Sequence, residues 1–464
     1  MVVDPVVFSS IDFLLYFLPA FLAAYYLCPE RHRNLCLFLF SIGFYTYGVW
    51  NSPEHLVLLL LSLLMNYAVG RLLERHRSKA LLALGLVYDF GVLFYYKYSG
   101  FVLNAAGKAL GLGCEFAQPA LPIGISFYTF QAASYLIDIY RRTVPAEHRF
   151  FNFGTYIAMF PQLIAGPIVR YQDIYRSLQK RRSTISLFTE GIGKFILGLG
   201  LKVLLANRIG NLWQTVCGIG FESISTPLAW MGILACSLQL YFDFWGYSLM
   251  AIGLGQLIGF RLPVNFRHPY QARSMTEFWR RWHITLGTWF REYVYIPLGG
   301  NRGGKWKTYR NLMIVWVITG VWHGAGWNFL LWGFFLFAVI AMEKAGLLKL
   351  LRKAPLFSHV YMLLLIPLSW LLFSVSDLKE LAIYLQRLVG LGGCAVFQGD
   401  YLKYAGQYGF LLVGGVLLCT PLPYYVWNKV KKPWATVVVL AVILLSCLCY
   451  LFMGMNDPFL YFRF

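Results

Sequence analysis

The chain reads as an all-α polytopic membrane protein, with about ten or eleven transmembrane helices plus re-entrant and interfacial helices. Three observations carry that reading. Hydrophobic residues fill 59% of the 464 positions and charged ones only 13%, against a globular norm of roughly 25% charged, and the mean hydropathy is +0.59. Long apolar runs recur along the chain, each bounded by charged or turn-forming residues, as a hydrocarbon layer about 30 Å thick requires. The charge balance, 40 Lys and Arg against 20 Asp and Glu, suits basic loops facing an anionic leaflet. Together they leave no room for a large soluble domain and speak against a nucleic-acid role. The nine cysteines are scattered through apolar sequence without a pairing pattern, so neither a disulfide framework nor a metal site is implied.

Residues 1–12 carry Asp4 and Asp12 rather than a positive n-region, so the first apolar stretch is expected to stay as a span. Spans are expected at 13–28, 35–50, 55–70, 80–97 and 121–140. Arg31 to Arg33, Arg71 to Lys79 and Arg141-Arg142 make alternate linkers basic, hence cytoplasmic, with both termini outside. Pro161, Gly166 and Pro167 break 150–184 too often for a simple span, which makes it re-entrant. Further spans follow near 186–205 and 226–246. Asp243 is isolated in the second of these, either paired with Arg, capping a broken helix, or in a direct chemical role.

Residues 261–310 interleave Arg and Lys with Trp and should lie on the cytoplasmic face. There FWRRWHITLGTWF places Trp279, Trp282, His283 and Trp289 on one expected amphipathic helix, a packing element or a donor site in which Arg280, Arg281 and Arg291 receive an anion while His283 points inward. The following GGNRGGK, ending at Lys305, has phosphate-loop spacing, but Trp306 stands where Ser or Thr should be and no strand precedes it. From Arg310 the chain climbs without a charge to His323, thirteen residues or about 20 Å of helix, and continues apolar to Glu343. His323 is therefore expected at membrane depth, beside Gly320, Gly324 and Gly326, which allow close backbone approach. Either a neighbouring helix satisfies it, or it marks a functional site. Basic 344–353, spans at 355–375, 407–427 and 434–455 and the basic Lys429 to Lys432 complete one membrane-embedded domain, 1–464.

Seven stretches resemble signatures of the membrane-bound O-acyltransferase family, in its bacterial alginate O-acetyltransferase branch. They include RNLCLFLFSIGFYTYG from Arg33, PIGISFYTFQAASYLIDIYR from Pro122, FPQLIAGPIVRY from Phe160, YFDFWGYSLMAIGLG from Tyr241, TEFWRRWHITLGTWF from Thr276 and WHGAGWNFLLWG from Trp322. The resemblance covers 1–345, whereas 346–464 matches only as generic membrane sequence.

The resemblance implies that a cytosolic thioester, acetyl-CoA or an acyl carrier, delivers its acyl group through a tunnel to hydroxyls of an extracytoplasmic polysaccharide. No cofactor is permanently bound and no metal is required. His323 of the WHG motif is then catalytic and His283 of the RRWH motif the second functional position. A neutral imidazole can take the proton of an attacking hydroxyl. Trp322, Asn328 or His283 would supply the oxyanion donors, Trp282 and Asp243 would line the tunnel, and Arg280, Arg281 and Lys305 would ring its inner mouth. Surrounding partners would be membrane lipids and an accessory secreted or anchored acetyltransferase, in a bacterial inner membrane. Two alternatives stand beside this reading: D-alanyl transfer to teichoic acid, and a channel or flippase with His323 as gate.

Overall fold

The computed structural model describes residues 7–111, 115–164, 166–391, 397–430 and 432–454, and every regular element among them is a helix. Five helices are long and apolar enough to cross a bilayer alone: Glu54–Arg75, Lys79–Ala109, Thr226–Leu257, Pro355–Ser374 and Pro433–Phe452. The pair Asp400–Leu418 and Leu422–Lys429, bent by 75°, makes a sixth if it counts as one broken span. The other expected spans are shorter or composite. That at 35–50 is Arg33–Gly48, that at 121–140 is Ile125–Tyr140, and that at 13–28 joins a wide turn, Phe13–Phe17, to Leu18–Leu27. Both chain ends lie outside the described residues, and with them the expected position of the termini.

The chain forms two compact units, Met1–Phe195 with Tyr247–Val264, and Ile196–Gly246 with Asn265–Phe464. In the first, the stretch expected to be re-entrant is three short helices, Phe150–Ala158, Phe160–Leu163 and Tyr171–Gln179, and the first two are almost wholly buried. Phe160 sits among Phe13, Phe17, Phe21 and Phe44 at ring distances of 5.0–6.1 Å. Arg181 ties this unit together by donating to Tyr25 Oη, Ile258 O and Asn34 Oδ1, with its guanidinium 4.4 Å from the Phe260 ring.

The second unit is built on a helical hairpin, Lys305–His323 and Trp327–Met342. Glycine lets its arms touch backbone to backbone. A Cβ on Gly320 would strike the Phe329 carbonyl, and one on Gly333 would stand 2.6 Å from that of Trp316, so neither position has space for a side chain. Helix Pro355–Ser374 packs on the hairpin and carries Pro367 in its interior, which removes one backbone donor there. Most exposed is Pro433–Phe452, of whose most apolar window only 6% is buried.

The glycine-rich stretch before the hairpin is a turn, not a phosphate loop. Gly299, Gly300 and Gly304 take positive φ, and Asn311 Nδ2 donates to Leu298 O at 3.1 Å and Gly300 O at 2.9 Å. Those glycines serve the bend that launches helix Lys305–His323.

Candidate active site

The segment expected to be one amphipathic helix is two, Met275–Arg281 and Ile284–Phe290, broken at Trp282-His283. His283 adopts φ 42°, in the left-handed region that non-glycine residues seldom enter. The loop 265–267 holds it there: Ile284 N donates to Asn265 O at 3.0 Å and Arg267 N to Arg281 O at 3.0 Å. The turn swings the imidazole inward, leaving it 1% exposed. Its Nδ1 lies 3.1 Å from Asn265 Oδ1, the Phe244 ring stands edge-on at 4.8 Å, and Nε2 has no hydrogen-bond partner among the described residues.

His323 ends its helix and is 5% exposed. Three aromatic rings wall it, Trp322 at 4.9 Å, Trp332 at 5.1 Å and Phe373 at 5.2 Å. Two of the walls are fixed in turn. Trp332 Nε1 donates to Ser369 Oγ at 2.9 Å, and Asn328 Nδ2 donates to Phe373 O at 3.0 Å. The Trp322 indole also lies 6.1 Å from the His283 ring, so one side chain contacts both imidazoles.

A chamber of about 520 Å³ leads to His283 past Trp279, Trp282, Trp316 and Arg280. A second cavity, of about 540 Å³, shares Thr276, Arg280 and Lys344 with it and adds Arg273, Arg352 and Glu277. The chamber at His283 thus adjoins a basic cavity and is itself walled largely by aromatic and apolar side chains. Helix Met275–Arg281, which presents Arg280 to both spaces, is anchored by a buried carboxylate. Glu343 accepts from Met275 N at 2.5 Å, Thr276 N at 2.8 Å, Thr276 Oγ1 at 2.6 Å and Tyr361 Oη at 3.1 Å.

The family model for the membrane-bound O-acyltransferases matches residues 31–376. This chain belongs to that family. The acyltransferase is 41% identical over 383 residues to the protein named "Probable alginate O-acetylase AlgI" of Pseudomonas aeruginosa, covering 80% of this chain and 73% of that one. A protein of the same name from Pseudomonas putida is 36% identical across 99% of this chain and 100% of its own length. The peptidoglycan O-acetyltransferase of Helicobacter pylori is 33% identical over 432 residues, 84% of this chain and 81% of that one.

Of the residues expected at the acyltransferase site, His283, Trp282 and Arg280 line the chamber, whereas His323 is not among its lining residues and reaches His283 only through the ring of Trp322. Asn328 belongs to the wall of His323 through its bond to Phe373. Asp243 does not line the chamber. Its carboxylate pairs at 2.8 Å with Lys202, a lysine where an arginine was expected, and Lys202 also donates to Asn207 Oδ1 at 2.8 Å. Arg281 turns away to pair with Glu277 at 2.5 Å, and Lys305 is exposed at the start of the hairpin, so neither lines the chamber. Four residues escaped the reading of the sequence: Asn265, Lys202, Glu343 and Lys344. A lone lysine in one apolar helix and a lone aspartate in another were a legible hint of the second; Asn265 precedes its partner by eighteen positions and carried no such signal.

Proposed function

We propose that this acyltransferase moves an acetyl group from a cytosolic thioester to hydroxyls of an extracytoplasmic polysaccharide, from a bacterial inner membrane with both chain ends outside. One observation carries the reading: a single indole, Trp322, contacts both imidazoles, and a chamber that begins among cations leads to the first of them. Arg273, Arg280, Lys344 and Arg352 suit the phosphates of a donor such as acetyl-CoA, and a thin arm fits the aromatic chamber beyond. His283 meets the donor there. His323 takes the proton of the acceptor hydroxyl as its oxygen bonds to the acyl carbon. The carbon–sulfur bond then breaks, and the proton passes to the departing thiolate. Neither histidine has a serine or cysteine beside it in sequence, which favours direct transfer over an acyl-enzyme. An accessory acetyltransferase outside the membrane would carry the group onward where the polymer cannot reach His323.

Inverted membrane vesicles given radiolabelled acetyl-CoA and polysaccharide test this. His323→Ala should leave expression normal and polymer labelling at background, while His283→Ala should lower it with residual transfer. Full labelling by His323→Ala would overturn the mechanism. Transfer of D-alanyl from a carrier thioester, with none of acetyl, would replace the donor assignment.

A further inference from the structure

We infer that Asn265 is a positioning residue that fixes the proton of His283 on Nδ1 and so presents the bare lone pair of Nε2 to the donor chamber. The inference rests on the acyltransferase reading for its consequence but not for its geometry. Asn265 Oδ1 stands 3.3 Å from Thr285 N and 3.0 Å from Thr285 Oγ1. A backbone N–H can only donate, so the atom facing it is the amide oxygen and the orientation of the side chain is settled. The same oxygen lies 3.1 Å from His283 Nδ1. Two acceptors cannot share that distance, so Nδ1 carries hydrogen and, in the neutral ring, Nε2 carries none.

The turn is built to hold this tautomer. The left-handed φ of His283 folds the residue back over Asn265, and Ile284 N closes the loop on the Asn265 carbonyl. Nε2 is buried and has no partner among the described residues, while the residue lines the chamber. An unsatisfied buried acceptor is costly unless something supplies its hydrogen. The missing donor is an N–H or O–H of the ligand, and a thioester donor with amide groups along its arm provides one. A neutral His283 in this tautomer has no hydrogen on Nε2 to offer an oxyanion, which removes it from the candidates for that task. The chamber does contain an N–H suited to a carbonyl oxygen: Trp279 Nε1, buried and likewise without a partner among the described residues.

Nitrogen-15 NMR of histidine-labelled full-length protein in nanodiscs reads the tautomer directly, with the His283 signals assigned by their loss in His283→Gln. Hydrogen on Nδ1 is the expected result. Hydrogen on Nε2 in the wild type would overturn the inference, and because no donor is added, that failure is separate from failure of the acetyl-transfer reading. Kinetics supply the second arm. Asn265→Ala should lower kcat about tenfold, less than the 10²–10⁴ that a positioned acid-base group contributes, because the imidazole of His283 itself remains. Asn265→Asp keeps an acceptor on Nδ1–H and should restore most of kcat. Its carboxylate favours the charged imidazole, so the acid limb of the pH–rate profile should move to higher pH. Thr285→Val removes one donor from the same oxygen without touching His283. Equal losses in Asn265→Ala, Asn265→Asp and Thr285→Val, with an unmoved pH profile, would reduce Asn265 to a clamp on the turn.

Discussion

The two histidines occupy opposite kinds of surroundings. His283 sits on a strained turn, held by one amide, and faces an open chamber. His323 sits at the end of a regular helix and is enclosed by three rings, two of them on residues held by a hydrogen bond. Space lies on one side and rigidity on the other. The contrast suits a reaction in which a variable, flexible donor is admitted at one imidazole while the other must be placed accurately for attack.

Glycine substitutions should separate the two regions most sharply. Gly324→Ala drives a methyl group into the Phe329 ring, which packs 5.2 Å from Phe373, a wall of His323. A displacement of about 1 Å there is expected to cost on the order of 10²-fold in kcat/KM. Gly287 lines the chamber at His283, yet a Cβ there meets only Trp279 O at 3.6 Å, an ordinary contact. Activity of Gly287→Ala within about twofold of wild type is expected; equal losses at both positions would erase the distinction.

Beneath the His283 side, Asp243 adjoins Phe244 in sequence and pairs with Lys202, both side chains no more than 3% exposed. Lys202→Met strands a buried carboxylate and should cost about 3–5 kcal/mol of stability. Lys202→Met combined with Asp243→Leu removes both charges and should recover most of it. Thermal unfolding in detergent checks the pair; a double variant as unstable as the single one would give the ion pair a role beyond compensation.

The smallest effects should fall on the cations in and around the chamber. Arg280→Ala and Lys344→Ala remove groups that line both cavities and should raise KM for an anionic thioester several-fold, each by about 1 kcal/mol or more. Arg281→Ala breaks an exposed i,i+4 pair worth about 0.3–0.5 kcal/mol and should leave KM within about twofold, as should Lys305→Ala. Steady-state kinetics in vesicles would show whether the order reverses.

Part of this was readable from the chain. Hydropathy marked the long apolar helices, proline and glycine marked the stretch that breaks into three short helices, and the apolar run from Arg310 to Glu343 led to a buried His323. What could not be read were contacts between distant residues. The left-handed turn at His283 conflicts with a helical pattern that runs straight through FWRRWH, and only the loop from Asn265 overrides it. Arg281 and Arg280 are neighbours with the same chemistry, and the helix phase alone decides that one faces the chamber and the other Glu277. Glu343 looks like the charged end of an apolar run, whereas it is the anchor of the helix that carries Arg280.

Pro367 gives the enclosure of His323 an uneven stiffness. The hairpin arms that carry His323 and Trp332 touch through glycine along their backbones and must move as one body, but Phe373 lies six residues past a missing helical hydrogen bond. Bending at that point is the cheapest deformation available near the site. A bulky acceptor should therefore gain entry by deflecting Phe373 rather than by parting the hairpin. Hydrogen exchange that is faster across 363–374 than across 316–333 would bear this out, and the reverse order would place the gate in the hairpin itself.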